Sequence, residues 1–264
     1  MEVRLIEGDA LEVLRGMPAE SFDLIVADPP YLVGGMPRVR GRHLAAMDGS
    51  GLEWGSLFRE LYRVMRSRAT LLVFGHLSSF LRIAPHAEEA GFRYVTDIVW
   101  VKPGAVNFLQ ARKKPLSKHE LISVWAKGRL RYNWEGGIEE GEPYGPRKAG
   151  RDTFYDAERK GRGNPGFRYM ADVVFAPNKP CMPKEERTPH PTQKPLALVR
   201  KLVGAFSFPG DSVLDPFAGS GTTLVACREL GRDCVGIEID PEYAALIRRR
   251  AGLEDELQAM SVPS

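Results

Sequence analysis

The chain has 264 residues, 43% of them hydrophobic, with a formal net charge of +3, enough for one large domain with a full core and a small insert. No apolar run approaches the ~18 residues of a membrane span, and the first residues lack a basic start leading into a long apolar stretch, so neither a spanning helix nor a signal peptide is expected. The charge is uneven: residues 102–194 hold 19 Lys/Arg against 11 Asp/Glu, a net of +8, leaving −5 on the remainder, which points to a polyanionic partner.

Short apolar runs alternate with helical patterns along the chain. Val3–Ile6 reads as a strand and Ala10–Met17 as a helix, and Phe22–Ala27 is an unbroken apolar run suited to a buried strand. Leu52–Met65 repeats Leu57, Leu61, Val64 and Met65 at helical spacing. Thr70–Phe74 reads as a strand, then a helix over 78–90 stopped by Gly91. Tyr94–Val101 and Leu121–Trp125 are two more strands. Leu196–Phe206 has the spacing of an amphipathic helix, Ser212–Leu214 that of a strand, and Thr222–Leu230 that of a helix stopped by Gly231. Cys234–Ile239 is a strand, and Pro241 opens a last helix at its favoured first position. This alternation predicts an α/β fold with an open sheet and helices on both faces.

Two stretches break the pattern. Residues 32–51 are rich in glycine and arginine and have no periodicity, as in a functional loop. Residues 129–187 are rich in Gly, Pro, Arg and Lys but carry Trp134, Tyr144, Phe154, Tyr155, Phe167 and Tyr169, more aromatics than a linker holds. The domain reading is therefore one domain in two parts, 1–128 and 188–264, with 129–187 inserted. The three cysteines form no CxxC, which suits a reduced cytoplasmic protein. The five histidines form no pair at ligand spacing, so no metal is expected.

Asp215-Pro-Phe-Ala-Gly-Ser-Gly-Thr-Thr223 lies between a strand and a helix. Gly219 and Gly221 permit a tight turn and close ligand approach, and the amides opening the next helix favour an anion. Glu238 ends the following strand, where a carboxylate accepts from ribose hydroxyls. No Gly-Lys-Ser/Thr follows the glycines, and the third glycine of a dinucleotide site is missing. Asp215 would repel a pyrophosphate but suits a cationic amine, which points to S-adenosylmethionine.

Asp28-Pro-Pro-Tyr31 follows the buried Phe22–Ala27 strand. An aromatic amine is a poor nucleophile because its lone pair is delocalised into the ring. Hydrogen bonds accepted from it by the Asp28 carboxylate and the Pro29 carbonyl favour a pyramidal nitrogen. Pro29 and Pro30 fix the backbone, and Tyr31 can stack on a base. The alternative is a plain turn after a strand; placement beside a separate cofactor unit argues against it.

Residues 22–31, 190–195 (His-Pro-Thr-Gln-Lys-Pro), 213–223 and 236–243 match, in type and order, an amino-methylating DNA methyltransferase. The chain resembles the permuted beta group of that family everywhere except residues 129–187. The resemblance implies a Rossmann-like fold with a seven-stranded, mostly parallel sheet holding one antiparallel strand. It implies that Asp9 and Ala10 border the cofactor adenine, Glu238 holds the ribose and Ile239 packs on the adenine. It places Thr192 and Lys194 near the methionine end, with Asp215, Phe217, Gly219, Ser220, Gly221 and Thr222 forming the cradle. Trp100 and Lys102 lie in a segment similar to the family strand near the target base. Because a duplex hides its amines in the stack, the base must be flipped out. Arg38, Arg40, Arg42, Arg147, Lys148 and Arg151 are the candidate DNA contacts.

The function expected is site-specific methylation of double-stranded DNA at adenine N6. Cytosine N4, an RNA base, and DNA binding without catalysis are the alternatives. A cognate restriction endonuclease and a second copy of the chain are the candidate protein partners. Cys181 follows Pro180 as in cytosine-C5 enzymes but lacks their other motifs. No Asn-Pro-Pro-Tyr is present to suggest protein-glutamine methylation.

Overall fold

The computed structural model describes residues 1–30, 52–106, 111–140 and 166–253. Tyr31, Arg38, Arg40, Arg42, Arg147, Lys148 and Arg151 lie outside them, as do the loop after Tyr31 and most of the basic core of the insert.

Phe22–Ala27 forms β2, and all six of its residues are buried. Side chains alternate across a strand, so Leu24 and Val26 face one layer while Ile25 and Ala27 face the other. The first layer holds α4 (Leu196–Phe206), α5 (Thr222–Leu230) and α6 (Pro241–Ala251), through Leu198, Leu202, Leu224 and Ile247. The second holds α1 (Ala10–Gly16), α2 (Trp54–Val64) and α3 (Leu77–Glu89), through Leu14, Leu57, Leu61 and Ile83. Burial on both faces is why this strand reads as a continuous apolar run.

Among the described residues the main sheet has eight strands, in the order β1-β10-β9-β2-β3-β5-β4-β8. They are β1 (Val3–Glu7), β2, β3 (Met65–Gly75), β4 (Arg93–Val106), β5 (Ser117–Ala126), β8 (Val173–Phe175), β9 (Ser212–Asp215) and β10 (Asp233–Glu238). The strands from β1 to β3 pair in parallel, and β5 runs antiparallel to both β3 and β4. The one antiparallel strand implied by the family resemblance is thus β5. The eighth strand comes from the expected insert: Val173–Phe175 adds in parallel to the β4 edge at Val99–Val101. Three residues are too few to give an apolar signal. A separate ribbon, β6 (Glu139–Glu140) with β7 (Phe167–Arg168), completes the described strands.

Strand lengths differ from the sequence expectation where polar residues lie under tertiary pairing. β3 begins at Met65 rather than Thr70, because Met65 pairs with Phe22 ahead of the polar Arg66-Ser67-Arg68 stretch. β5 begins at Ser117 rather than Leu121, because its polar first half lies against the far end of β4. The helix ends agree better. Asp9 caps α1 by accepting from the Leu11 and Glu12 amides at 3.0 and 3.1 Å. Asp240 caps α6, with Pro241 in its first turn.

Candidate active site

β9 and β2 are neighbours, but the chain leaves them in opposite directions: β2 leads through α2 to β3, and β9 through α5 to β10. Such a switch point opens a crevice at the carboxyl ends of the strands. Asp28-Pro29-Pro30 follows β2 there and Asp215 closes β9 there. Gly8–Ala10 after β1, Glu238–Tyr243 from β10 and the segment leading into α4 join them there.

These pieces line one cavity of about 400 Å³. Asp28, Pro29, Pro30, Asp9, Ala10, Thr192, Lys194, Asp215, Phe217, Gly219, Ser220, Thr222, Glu238 and Ile239 all face it. So do His190 and Tyr243, whose rings meet edge to face at 4.5 Å. Asp28-Pro29-Pro30 and the glycine loop are 187 residues apart along the chain (Asp28 to Asp215), and the fold makes them walls of the same space. Ile239 is 62% exposed at this wall, a large apolar side chain open to a planar ligand.

The loop geometry uses both glycines. Gly219 has φ +53°, and a Cβ there would stand 3.0 Å from His190 Nε2. Gly221, with φ +76°, caps α5 behind the cavity wall. The Glu238 carboxylate accepts from the Gly219 amide at 2.7 Å and the Asp240 amide at 2.9 Å, tying the loop to β10. Arg250 on α6 braces the loop by donating to the Ser220 carbonyl at 2.9 Å and to Thr222 Oγ1 at 2.8 Å.

Burial sets the charge states. Asp215 is enclosed, and desolvation pushes its carboxyl up to about 7, against the bonds from Thr223 and the Phe217 amide that favour the anion. Desolvation also raises Glu238. His190 is held at about 4, by burial first and then by Lys194 and Lys179, so it is neutral at pH 7. Its Nδ1 is buried with no hydrogen-bond partner among the described residues, leaving an unspent polar atom on a cavity-lining side chain.

Lys194 faces the cavity beside Thr192 and Asp215 and is held by two further carboxylates. Its ammonium lies 2.5 Å from Asp28 Oδ2 and 3.9 Å from Glu120 Oε2, above the Phe74 ring. Burial opposes its charge, but Asp28 and Glu120 outweigh that and raise it above an ordinary lysine. Glu120 on β5 also pairs with Lys102 on β4. Burial alone would raise Glu120, yet Lys194 and Lys102 bring it below its ordinary value. His76, after β3, is lowered by burial, and Lys102 and Lys194 add to that while Glu120 opposes it.

Trp100 and Lys102, the residues proposed near the target base, are both buried. Trp100 is 2% exposed, and its indole N–H donates to the Ala176 carbonyl at 2.9 Å, which makes it a core residue. Lys102 is buried against Glu120 and the Trp100 ring. The sequence reading missed Glu120, His76 and Arg250. Carrying the strand alternation of Leu121–Trp125 back through the polar Ser117–Glu120 would have reached Glu120.

A doubly wound sheet, a nucleoside-sized cavity at its switch point and a rigid Asp-Pro-Pro acceptor corner define a Rossmann-like methyltransferase. The chain belongs to the N6/N4 DNA methylase family, whose signature matches residues 22–249. It is 32% identical over 266 residues to the DNA adenine methyltransferase YhdJ of Escherichia coli (strain K12), covering 97% of this chain and 84% of that one. It is 30% identical over 288 residues to the type II methyltransferase M.SmaI of Serratia marcescens, covering 94% and 90%. The structure of TTHA0409 from Thermus thermophilus, complexed with S-adenosyl-L-methionine, superposes with a TM-score of 0.55 at 27% identity, covering 96% of each chain.

Proposed function

We propose that this chain methylates the exocyclic amine of a flipped adenine in double-stranded DNA, with S-adenosylmethionine as donor, in the manner of the permuted beta group. The observation that carries this reading is the single cavity joining the Asp28-Pro29-Pro30 corner to the glycine loop. The residues fit the cofactor. Acidic Asp9 and Glu238, apolar Phe217 and Ile239, and a buried carboxylate at Asp215 line a space of about 400 Å³. Asp9 and Glu238 are assigned to the adenosine end, and Asp215 with Thr192 to the methionine end. When bound, the cofactor supplies a methyl group already activated on a sulfonium.

The protein's part is positioning. Asp28 and the Pro29 carbonyl accept the two N–H bonds of the amine and aim its lone pair into the cavity, and prolines keep those acceptors in place. An N–C bond would form as the S–C bond breaks, and Asp28, as acceptor of the amine, would take the proton the nitrogen then sheds. Asp at position 28, together with the relative YhdJ, favours adenine over cytosine N4. The insert at 129–187 is assigned target recognition, with Arg147, Lys148 and Arg151 on phosphates, and Arg38, Arg40, Arg42 and Tyr31 in the loop after the acceptor corner. The likeness to M.SmaI supports a place in a restriction–modification pair. Among the described residues, no helix is long and apolar enough to cross a membrane, and a cytoplasmic DNA substrate fits this reading.

Asp28→Ala tests it. Transfer of labelled methyl to DNA is expected to fall at least about a hundredfold, with the melting temperature held as a folding control. Near-normal turnover would remove Asp28 from the chemistry. Sequencing modified bases in DNA from cells making the wild-type chain reads out base and site together.

A further inference from the structure

The structure assigns a second position to the Lys194 ammonium: we infer that Lys194 and the target amine compete for the Asp28 carboxylate, and that Glu120 receives the ammonium when the amine binds. Glu120 is then a positioning residue for methyl transfer. The inference rests on the reading of Asp28 as the amine acceptor.

Three observations carry it. Lys194 Nζ sits at 2.5 Å on Asp28 Oδ2, an oxygen the acceptor role needs for an N–H of the base. Glu120 Oε2, 3.9 Å from the same ammonium, is buried and has no hydrogen-bond partner among the described residues, while Oε1 is engaged by Lys102. A buried carboxylate oxygen left unbonded beside a cation is costly to keep, and it is a ready acceptor. The Lys194 backbone is also fixed: Thr222 Oγ1 donates to its carbonyl at 3.1 Å, and Arg250 holds Thr222 in turn. Only the side chain has to move. A shift of about 1 Å brings Nζ from 3.9 Å into charge-assisted bonding range, within reach of a flexible four-carbon stem. Without Glu120, leaving Asp28 would strand a buried ammonium, which is strongly unfavourable. Were Glu120 only a counter-ion for Lys102, nothing would account for Oε2 being aimed at Lys194.

Lys194 is faced by Asp28 after β2, His76 after β3, Glu120 on β5, Asp215 at the end of β9 and the neutral His190 of its own segment, with Lys102 beyond Glu120. Glu120→Gln removes one of the carboxylates and leaves two ammoniums with too little counter-charge. At pH 7 and saturating cofactor, E120Q is expected to turn over about tenfold more slowly or worse, with cofactor affinity unchanged. Its rate should climb with pH more steeply than the wild type's, because a neutral Lys194 releases Asp28. Glu120→Asp keeps the charge and is expected to restore most of the rate.

A fully active E120Q overturns the inference. So does a slow E120Q whose pH profile parallels the wild type, or an E120D as impaired as a well-folded E120Q. Should E120Q fail to fold, E120D decides alone: a rate near the wild type's supports the inference and a tenfold loss overturns it. Asp28→Ala measured in parallel separates the two readings. An active D28A removes the acceptor assignment itself, whereas an inactive D28A beside a fully active E120Q overturns only the role of Glu120.

Discussion

Asp215 closes β9 with its carboxylate enclosed, and burial, helped by the charges of Asp28 and Glu238, lifts it to about 7. In the free protein at neutral pH the group is therefore protonated in about half the molecules. Pairing with the ammonium of a methionine moiety favours the anion, so binding below pH 7 must expel a proton. The sign follows: cofactor affinity rises with pH up to about 7, changing up to about tenfold per unit below it. The gain ends near about 8, where an α-amino group loses its own charge. His190 adds nothing in this window because it is already neutral. Titration calorimetry with S-adenosylhomocysteine, in buffers of different ionisation enthalpy, counts the protons released. Flat affinity from about pH 5.5 to 7 would mean that Asp215 does not meet the ammonium.

At the scale of elements, the cofactor loop is a turn held from three sides. Glu238 of β10 accepts from the Gly219 amide, Arg250 of α6 bonds Ser220 and Thr222, and His190 closes on Gly219 from the segment before α4. Gly219→Ala is therefore doubly unfavourable. It places a side chain at φ +53°, worth about 1–2 kcal/mol, and it brings a Cβ to 3.0 Å from His190 Nε2. Cofactor affinity is expected to drop about tenfold or more, and the melting temperature by several degrees. An unchanged dissociation constant would show that the loop accommodates a methyl group and that its φ does not shape the site. This loop was legible in the sequence because local chemistry fixes it: glycines where left-handed backbone is needed, and an acid at each strand end. Phe22–Ala27 was legible because burial on both faces leaves an unbroken apolar run. Glu120 and Lys102 were not, because their meaning arises only when β4 and β5 pair. A charged residue in a polar stretch looks solvated until the register Trp100–Glu120 sets it on an interior strand beside Lys102. The bond from Trp100 to the Ala176 carbonyl was hidden for the same reason, since the two residues are 76 apart in the chain.

The whole molecule divides its charge as its sequence does. The site is built from acids at strand ends, Asp9, Asp28, Asp215 and Glu238, within a frame whose net charge outside residues 102–194 is −5. A net negative frame disfavours phosphates, so the +8 of the middle is the first place to look for cations that would meet DNA. Part of that surplus is already spent inside the fold. Lys102 and Lys194 are buried in ion pairs, and Arg131 is held by Asp211 at 2.6 Å. Arg147, Lys148 and Arg151 are the basic cluster of the insert assigned to phosphates. Neutralising all three is expected to weaken DNA binding and to flatten its salt dependence, by about 0.9 in the log–log slope for each phosphate that loses its cation. Affinity for S-adenosylhomocysteine should stay as it is, because the residues assigned to the cofactor are Asp9, Thr192, Asp215 to Thr222 and Glu238. Binding to a DNA duplex at several salt concentrations, for wild type and the triple variant, gives both slopes. Coincident slopes would remove these three from the phosphate-binding surface and shift the assignment to Arg38, Arg40 and Arg42. Parallel loss of cofactor affinity would instead mean that the insert supports the cavity rather than the DNA.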